Sequence, residues 1–191
     1  MKFAKSDLRQ AMRLRLGTLS AAHRASASEE LCDHVRAQIR WQESTSVLLF
    51  VPLRDEPDVW PLAEEALAAG RRLALPRFDP GRQAYVACAV KDLERDLAPG
   101  RFGIAEPAPH LDLVPISEVD LALAPGLAFD LRGQRLGRGK GFYDRLLAEV
   151  SGHRCGVAFE FQVTAELPSE PHDARLHSLA TEAGWKDFPG A

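Results

Sequence analysis

Cysteine is scarce in this chain of 191 residues: Cys32, Cys88 and Cys155 are its three, far apart and in no C-x-x-C pair. That spacing supports neither a disulfide framework nor a zinc site, and it suits a reducing compartment. No apolar stretch approaches the ~20 residues needed to cross a bilayer. The opening Met1-Lys-Phe-Ala-Lys-Ser-Asp7 has no apolar signal core. A cytoplasmic protein without a membrane partner is therefore expected. Neither sign of charge dominates, since 24 Lys and Arg meet 27 Asp and Glu for a formal net charge of −3. Such a balance argues against a general nucleic-acid binder. There is no internal repeat, low-complexity tract or linker, so a single domain over residues 1–191 is expected.

Against this even background one stretch stands out, Arg132-Gly-Gln-Arg-Leu-Gly-Arg-Gly-Lys-Gly-Phe-Tyr-Asp-Arg145. Its fourteen residues hold five cations, four glycines and one acid, Asp144. Glycine permits left-handed and close-approach backbone, and successive N–H groups in such a run form an anion-binding nest. Arg135, Arg138, Lys140 and Arg145 add positive charge, so a shared anion, a polyphosphate, is the natural ligand. The stretch is not a Walker A loop, because Gly141 follows Lys140 where Ser or Thr is required. Nor is it a dinucleotide fingerprint, since Gly137-x-Gly139-x-Gly141 lacks the third glycine at the right spacing.

The remaining pattern predicts an α/β protein. Leu8, Met12, Leu16 and Leu19 give an amphipathic helix over 3–16, with Lys5, Arg9 and Arg13 as a cationic stripe. Like charges at i, i+4 cost about 0.2–0.5 kcal/mol per pair, so the stripe is either a solvated face or one turned toward an anion. Ser20 caps a second helix to about Arg40, with Leu31, Val35 and Ile39 inward. The apolar run from Ser46 to Pro52 reads as a buried parallel strand. It continues through a loop holding Glu56, a helix over 58–69 closed by Gly70, and a strand at 72–76. Further strands are expected over 83–90, 120–126, 154–159 and 176–181, with a helix over 142–150 and an irregular 91–118. No His or Cys group has zinc-site spacing, so a bound metal would be a hard ion such as Mg²⁺ on carboxylate and phosphate oxygens. No nucleophile elbow is present.

These residues resemble a known family, the 5-formyltetrahydrofolate cyclo-ligases, also called methenyltetrahydrofolate synthetases. The carrying segments are Ala124-Pro-Gly-Leu-Ala-Phe-Asp130 and Gly133-Gln-Arg-Leu-Gly-Arg-Gly-Lys-Gly-Phe-Tyr-Asp-Arg145. Supporting matches follow in order: Lys5-Ser-Asp-Leu-Arg9, Pro52 to Glu56, Gly103-Ile-Ala-Glu-Pro107, Leu167-Pro168, His172-Asp173 and Thr181-Glu182. The resemblance implies a Rossmann-like three-layer α/β/α sandwich, related to sugar-phosphate isomerases and CoA transferases. It implies ATP- and Mg²⁺-dependent cyclisation of 5-formyltetrahydrofolate to 5,10-methenyltetrahydrofolate through a phosphorylated formyl group.

By position, Lys5, Ser6, Asp7, Leu8 and Arg9 would bind ATP with Arg135, Leu136, Gly137, Arg138, Gly139, Lys140, Gly141, Phe142 and Tyr143. Arg138 and Lys140 would be catalytic. Glu56, Phe102 and the segment from Arg138 to Phe142 would contact folate, and Asp144 and Asp173 would hold Mg²⁺. The hairpin at Gln83-Ala-Tyr85 lacks the Met-x-aromatic pattern common in the family, which leaves its substrate contact open. Partners are then folate and ATP, with no nucleic acid and a monomeric or homodimeric state. The rivals are an ATP-independent enzyme of the same broad fold, such as a sugar-phosphate isomerase, and a non-catalytic nucleotide- or RNA-binding module.

Overall fold

The computed structural model describes residues 5–100, 103–170 and 173–189. Its centre is a seven-stranded sheet of β1 (Ser46–Leu48), β2 (Arg72–Asp79), β3 (Ala84–Val90), β6 (Leu121–Pro125), β9 (His153–Val157), β11 (Ser178–Thr181) and β12 (Gly184–Asp187). The spatial order is β12-β11-β9-β6-β1-β2-β3. From β11 to β2 every neighbouring pair is parallel, and antiparallel β12 and β3 form the edges. The chain leaves β1 toward β2 on one side and returns to β6 on the other. This reversal opens a crevice beyond the carboxyl ends of β1 and β6, where ligands bind in open α/β sheets.

The period of two along each strand builds two unlike faces. Val47, Leu49, Leu73, Leu75, Leu121 and Leu123 pack with Leu31, Val35, Leu62 and Ala66 of α2 (Ala21–Arg36) and α4 (Trp60–Ala68). The opposite face presents Leu48, Ala74, Ala87, Ala122 and Ala124 to Leu146 and Leu147 of α5 (Phe142–Ala148). Helices thus cover both sides, and the central strands read as unbroken apolar runs because neither face meets water. A third cluster joins Met12 and Leu16 of α1 (Lys5–Gly17) to Leu127, Leu136 and Phe159.

Several boundaries differ from the pattern. The second helix stops at Arg36, and a separate short α3 (Ile39–Glu43) follows after Gln38 turns to an extended conformation. Ile39, expected inward, is consequently 58% exposed. The stretch expected to be irregular contains a hairpin of β4 (Leu97–Pro99) and β5 (Ala105–Pro107). A three-stranded sheet, β10 (Val163–Thr164), β7 (Ala128–Asp130) and β8 (Arg135–Leu136), lies outside the expected strands. Strands of two or three residues carry too few side chains to show alternation. Gly70 does close α4, at φ 71° with its N–H on the Leu67 carbonyl. No helix among the described residues is long and apolar enough to cross a membrane.

Candidate active site

A cavity of about 360 Å³ occupies the crevice. Phe50, Val51, Leu53 and Glu56 enter from the end of β1, Pro125 and Gly126 from the end of β6, and Arg135, Gly137, Arg138 and Lys140 to Asp144 from the glycine loop. Tyr85, Ile104, Ala105 and Glu106 complete the wall opposite.

Glu56 is fixed from three directions. Its Oε2 accepts the Leu53 N–H at 3.0 Å, and its Oε1 accepts Arg138 Nε at 3.2 Å and an Arg138 terminal nitrogen at 3.0 Å. Beneath it Arg24 of α2 donates to the Glu56 carbonyl at 2.7 Å and the Leu53 carbonyl at 3.3 Å, clamping the loop to the helix. Burial pushes the Glu56 carboxyl above its ordinary value, against the opposing pull of Arg138 and the Leu53 N–H. A carboxylate so placed is an acceptor for a planar ligand edge bearing paired N–H donors.

The glycine loop takes its shape from Gly139 at φ 109° and Gly141 at φ 66°, both in the region that disfavours a Cβ. Gly141 ends the loop and α5 begins, carrying Phe142, Tyr143 and Asp144 onto the cavity wall. The cationic stripe of α1 is engaged with other parts of the chain. Lys5 Nζ lies 2.8 Å from Asp173 and 3.1 Å from Glu170, Arg9 donates to the Gly137 carbonyl at 3.0 Å, and Arg13, itself exposed, to the Arg138 carbonyl at 3.3 Å. Burial would lower the Lys5 ammonium, but its bonds to Asp173 and Glu170 outweigh that and hold it raised. Two residues of the stripe therefore grip the loop's backbone and fix its position.

The expected residues divide into three groups. Glu56, Arg135, Gly137, Arg138, Lys140, Gly141, Phe142, Tyr143 and Asp144 share the cavity. Leu136 is buried in the third cluster, Leu8 packs on it, Gly139 lies against Arg9, and Ser6 pairs with Asp7 at the surface. Lys5, Ser6, Asp7, Leu8, Arg9, Leu136, Gly139 and Asp173 are off the cavity wall. Phe102 lies outside the described residues. Of the cations, Arg135 is buried, donating to the Pro125 carbonyl at 2.9 Å and to Asp144 at 2.7 Å. Lys140 is exposed and has no ion-pair partner among the described residues. Two buried polar atoms in this region have no hydrogen-bond partner, Arg135 Nε and the Tyr143 hydroxyl. Burial drives that phenol strongly upward, so it stays protonated.

Sequence reasoning left Tyr85 open and missed Arg24. Tyr85 stands on the wall, with its ring 5.9 Å from Phe142 and 5.8 Å from Tyr143. The signal for it was an aromatic at a strand position facing the loop; Arg24 gave no signal, being one of two arginines on α2.

No cluster of three or more metal-ligating side chains exists among the described residues. A hard cation that brings most of its ligands on phosphate oxygens needs only one or two carboxylates. Asp144 fits that need, on the cavity wall with one oxygen on Arg135. Asp173 already carries Lys5 and the Glu170 N–H on its Oδ2.

Comparison with known proteins agrees with this geometry. The model of the 5-formyltetrahydrofolate cyclo-ligase family matches residues 1–182. The 5-formyltetrahydrofolate cyclo-ligase of Mycolicibacterium smegmatis is 37% identical over 145 residues, 73% of this chain and 75% of that one. The Escherichia coli enzyme of the same name is 34% identical over 140 residues, covering 71% and 77%. The solved structure of Aquifex aeolicus 5,10-methenyltetrahydrofolate synthetase superposes with a TM-score of 0.88 at 34% identity, over 99% of this chain and 95% of that chain. With the matched segment spanning the crevice, the glycine loop and Asp173 alike, the chain belongs to the 5-formyltetrahydrofolate cyclo-ligase family.

Proposed function

We propose that this chain cyclises 5-formyltetrahydrofolate to 5,10-methenyltetrahydrofolate with ATP and Mg²⁺, releasing ADP and phosphate. One observation carries the reading: a buried recognition carboxylate, Glu56, and the cations of the glycine loop share one cavity. Glu56 accepts the amino-pyrimidinone edge of the pterin, and Tyr85 and Phe142 give flat apolar wall beside it. Lys140 and Arg138 face the phosphates and the formyl oxygen between them.

The formyl oxygen attacks the γ-phosphorus, and the bond from that phosphorus to ADP breaks. The 10-nitrogen of the folate then attacks the activated formyl carbon. The carbon–oxygen bond breaks, and the oxygen leaves with phosphorus as hydrogen phosphate, taking the proton of the 10-nitrogen. Both steps spread negative charge over phosphoryl oxygens, where preorganised cations act most strongly. Asp144, with Asp173, would hold Mg²⁺, which supplies further neutralisation of those oxygens. Arg9 braces the loop through the Gly137 carbonyl, and Lys5 holds Asp173.

Purified protein given 5-formyltetrahydrofolate, ATP and Mg²⁺ should generate the methenyl chromophore, with one ADP per product. The isomerase rival requires turnover without ATP. A preparation that leaves the absorbance flat while acting on a sugar phosphate would sink the cyclo-ligase reading.

A further inference from the structure

The carboxylate that recognises the pterin in the reading above is already engaged. Glu56 Oε1 accepts two bonds from Arg138, and a carboxylate oxygen offers about two lone-pair sites. A planar edge with paired N–H donors needs an acceptor site on each oxygen, so folate must displace at least one Arg138 bond. The guanidinium then needs another partner, because burial disfavours its charge and only its carboxylate neighbours restore it.

That partner is present. The same terminal nitrogen that reaches Glu56 donates to Asp55 Oδ1 at 2.7 Å, a shorter contact than either bond to Glu56. The Asp55 side chain is 30% exposed and that of Glu56 7%, so Asp55 marks the outer side of the pair. The loop backbone is held by Arg9 and Arg13 through the carbonyls of Gly137 and Arg138. Arg138 can therefore turn its side chain while its backbone stays in place.

Resting on the proposed function, we propose that Asp55 is a positioning residue for this reaction. It receives Arg138 when Glu56 passes to the folate, keeping the guanidinium at the cavity and out of competition for the recognition carboxylate. Asp55 touches no substrate in this role; it acts through Arg138.

The test is steady-state kinetics of Asp55→Asn and Asp55→Glu. With asparagine, Arg138 has only Glu56 as a charged partner, and the KM for 5-formyltetrahydrofolate should rise about tenfold. The KM for ATP and the melting temperature should stay at wild-type values. Glutamate should restore the folate KM to within about threefold of wild type. A folate KM at or below wild type in Asp55→Asn overturns the proposal, since Asp55 would then be clamping Arg138 onto Glu56. An equal rise in both KM values with a lowered melting temperature also overturns it, in favour of a merely structural role. If the wild-type protein neither binds nor converts 5-formyltetrahydrofolate, the proposed function fails and this role with it. An active wild type beside an unaffected variant removes the positioning role alone.

Discussion

The two ends of the parallel sheet are built on opposite principles. At the amino ends, polar groups are paired among themselves. Asp120 before β6 accepts the Thr45 N–H, the Thr45 hydroxyl and the Ser46 N–H. His153 at the start of β9 meets the Ser178 hydroxyl at 2.8 Å and stacks on His177 and Trp185. The Ser46 hydroxyl is the exception there. At the carboxyl ends the Tyr143 hydroxyl and Arg135 Nε lack partners, Lys140 is unpaired among the described residues, and Glu56 is buried against the Arg138 guanidinium. One end is closed by its own hydrogen bonds; the other keeps buried polar atoms unpaired beside a cavity.

Three substitutions sharpen this contrast. The largest effect is expected from Lys140→Ala, which removes an unpaired cation from the open end. Loss of one such group costs on the order of 2–4 kcal/mol of transition-state stabilisation. A kcat/KM equal to wild type would take Lys140 out of the site.

A smaller effect belongs to the closed end. Burial, then the charges of Arg40 and His177, depress His153 from 6.5 to about 4. The folded state therefore favours the neutral ring, and protons bind better to the unfolded chain. This contribution is fully present above about pH 6.5 and is lost as pH falls toward 4. Allowing for solvent screening of a partly exposed ring, it amounts to on the order of 1–2 kcal/mol. Urea melts of His153→Gln across that window should show a shallower acid slope than wild type, while activity at neutral pH is retained. Identical slopes would mean that His153 does not set the acid limit.

The smallest effect is predicted for Tyr143→Phe in the ligand-free protein. Deleting an unsatisfied buried hydroxyl should stabilise it by about 1 kcal/mol, raising Tm by roughly 2–4 °C in a chain of this size. A lowered Tm would show that the hydroxyl has a partner after all, and that the open end is less open than described.

The site was more legible in the sequence than the frame around it. The glycine loop stood out because concentrated charge is costly without a shared anion, and nine of the expected residues do line one cavity. Lys5, Arg9 and Arg13 could be read as a stripe, but only the fold shows that they hold Asp173 and the loop's carbonyls. The central strands were legible because burial on both faces leaves continuous apolar runs. The β4–β5 hairpin that carries Glu106 was hidden in a proline-rich stretch, where three-residue strands show no period. The end of α2 at Arg36 was equally hidden, since Ile39 continues the helical spacing although the backbone has already turned.

The alanines facing α5 set a dimension. Ala74, Ala122 and Ala124 share one core cluster with Leu146 and Leu147, between the sheet and the helix that carries Tyr143 and Asp144. Replacing one with leucine would cost about 1–3 kcal/mol by overpacking. The strain would be taken up by lifting the helix and, with it, one wall of the cavity. The width of the cavity is thus set in part by methyl groups that never touch a ligand, and variation at these positions would retune it without altering any residue of the site.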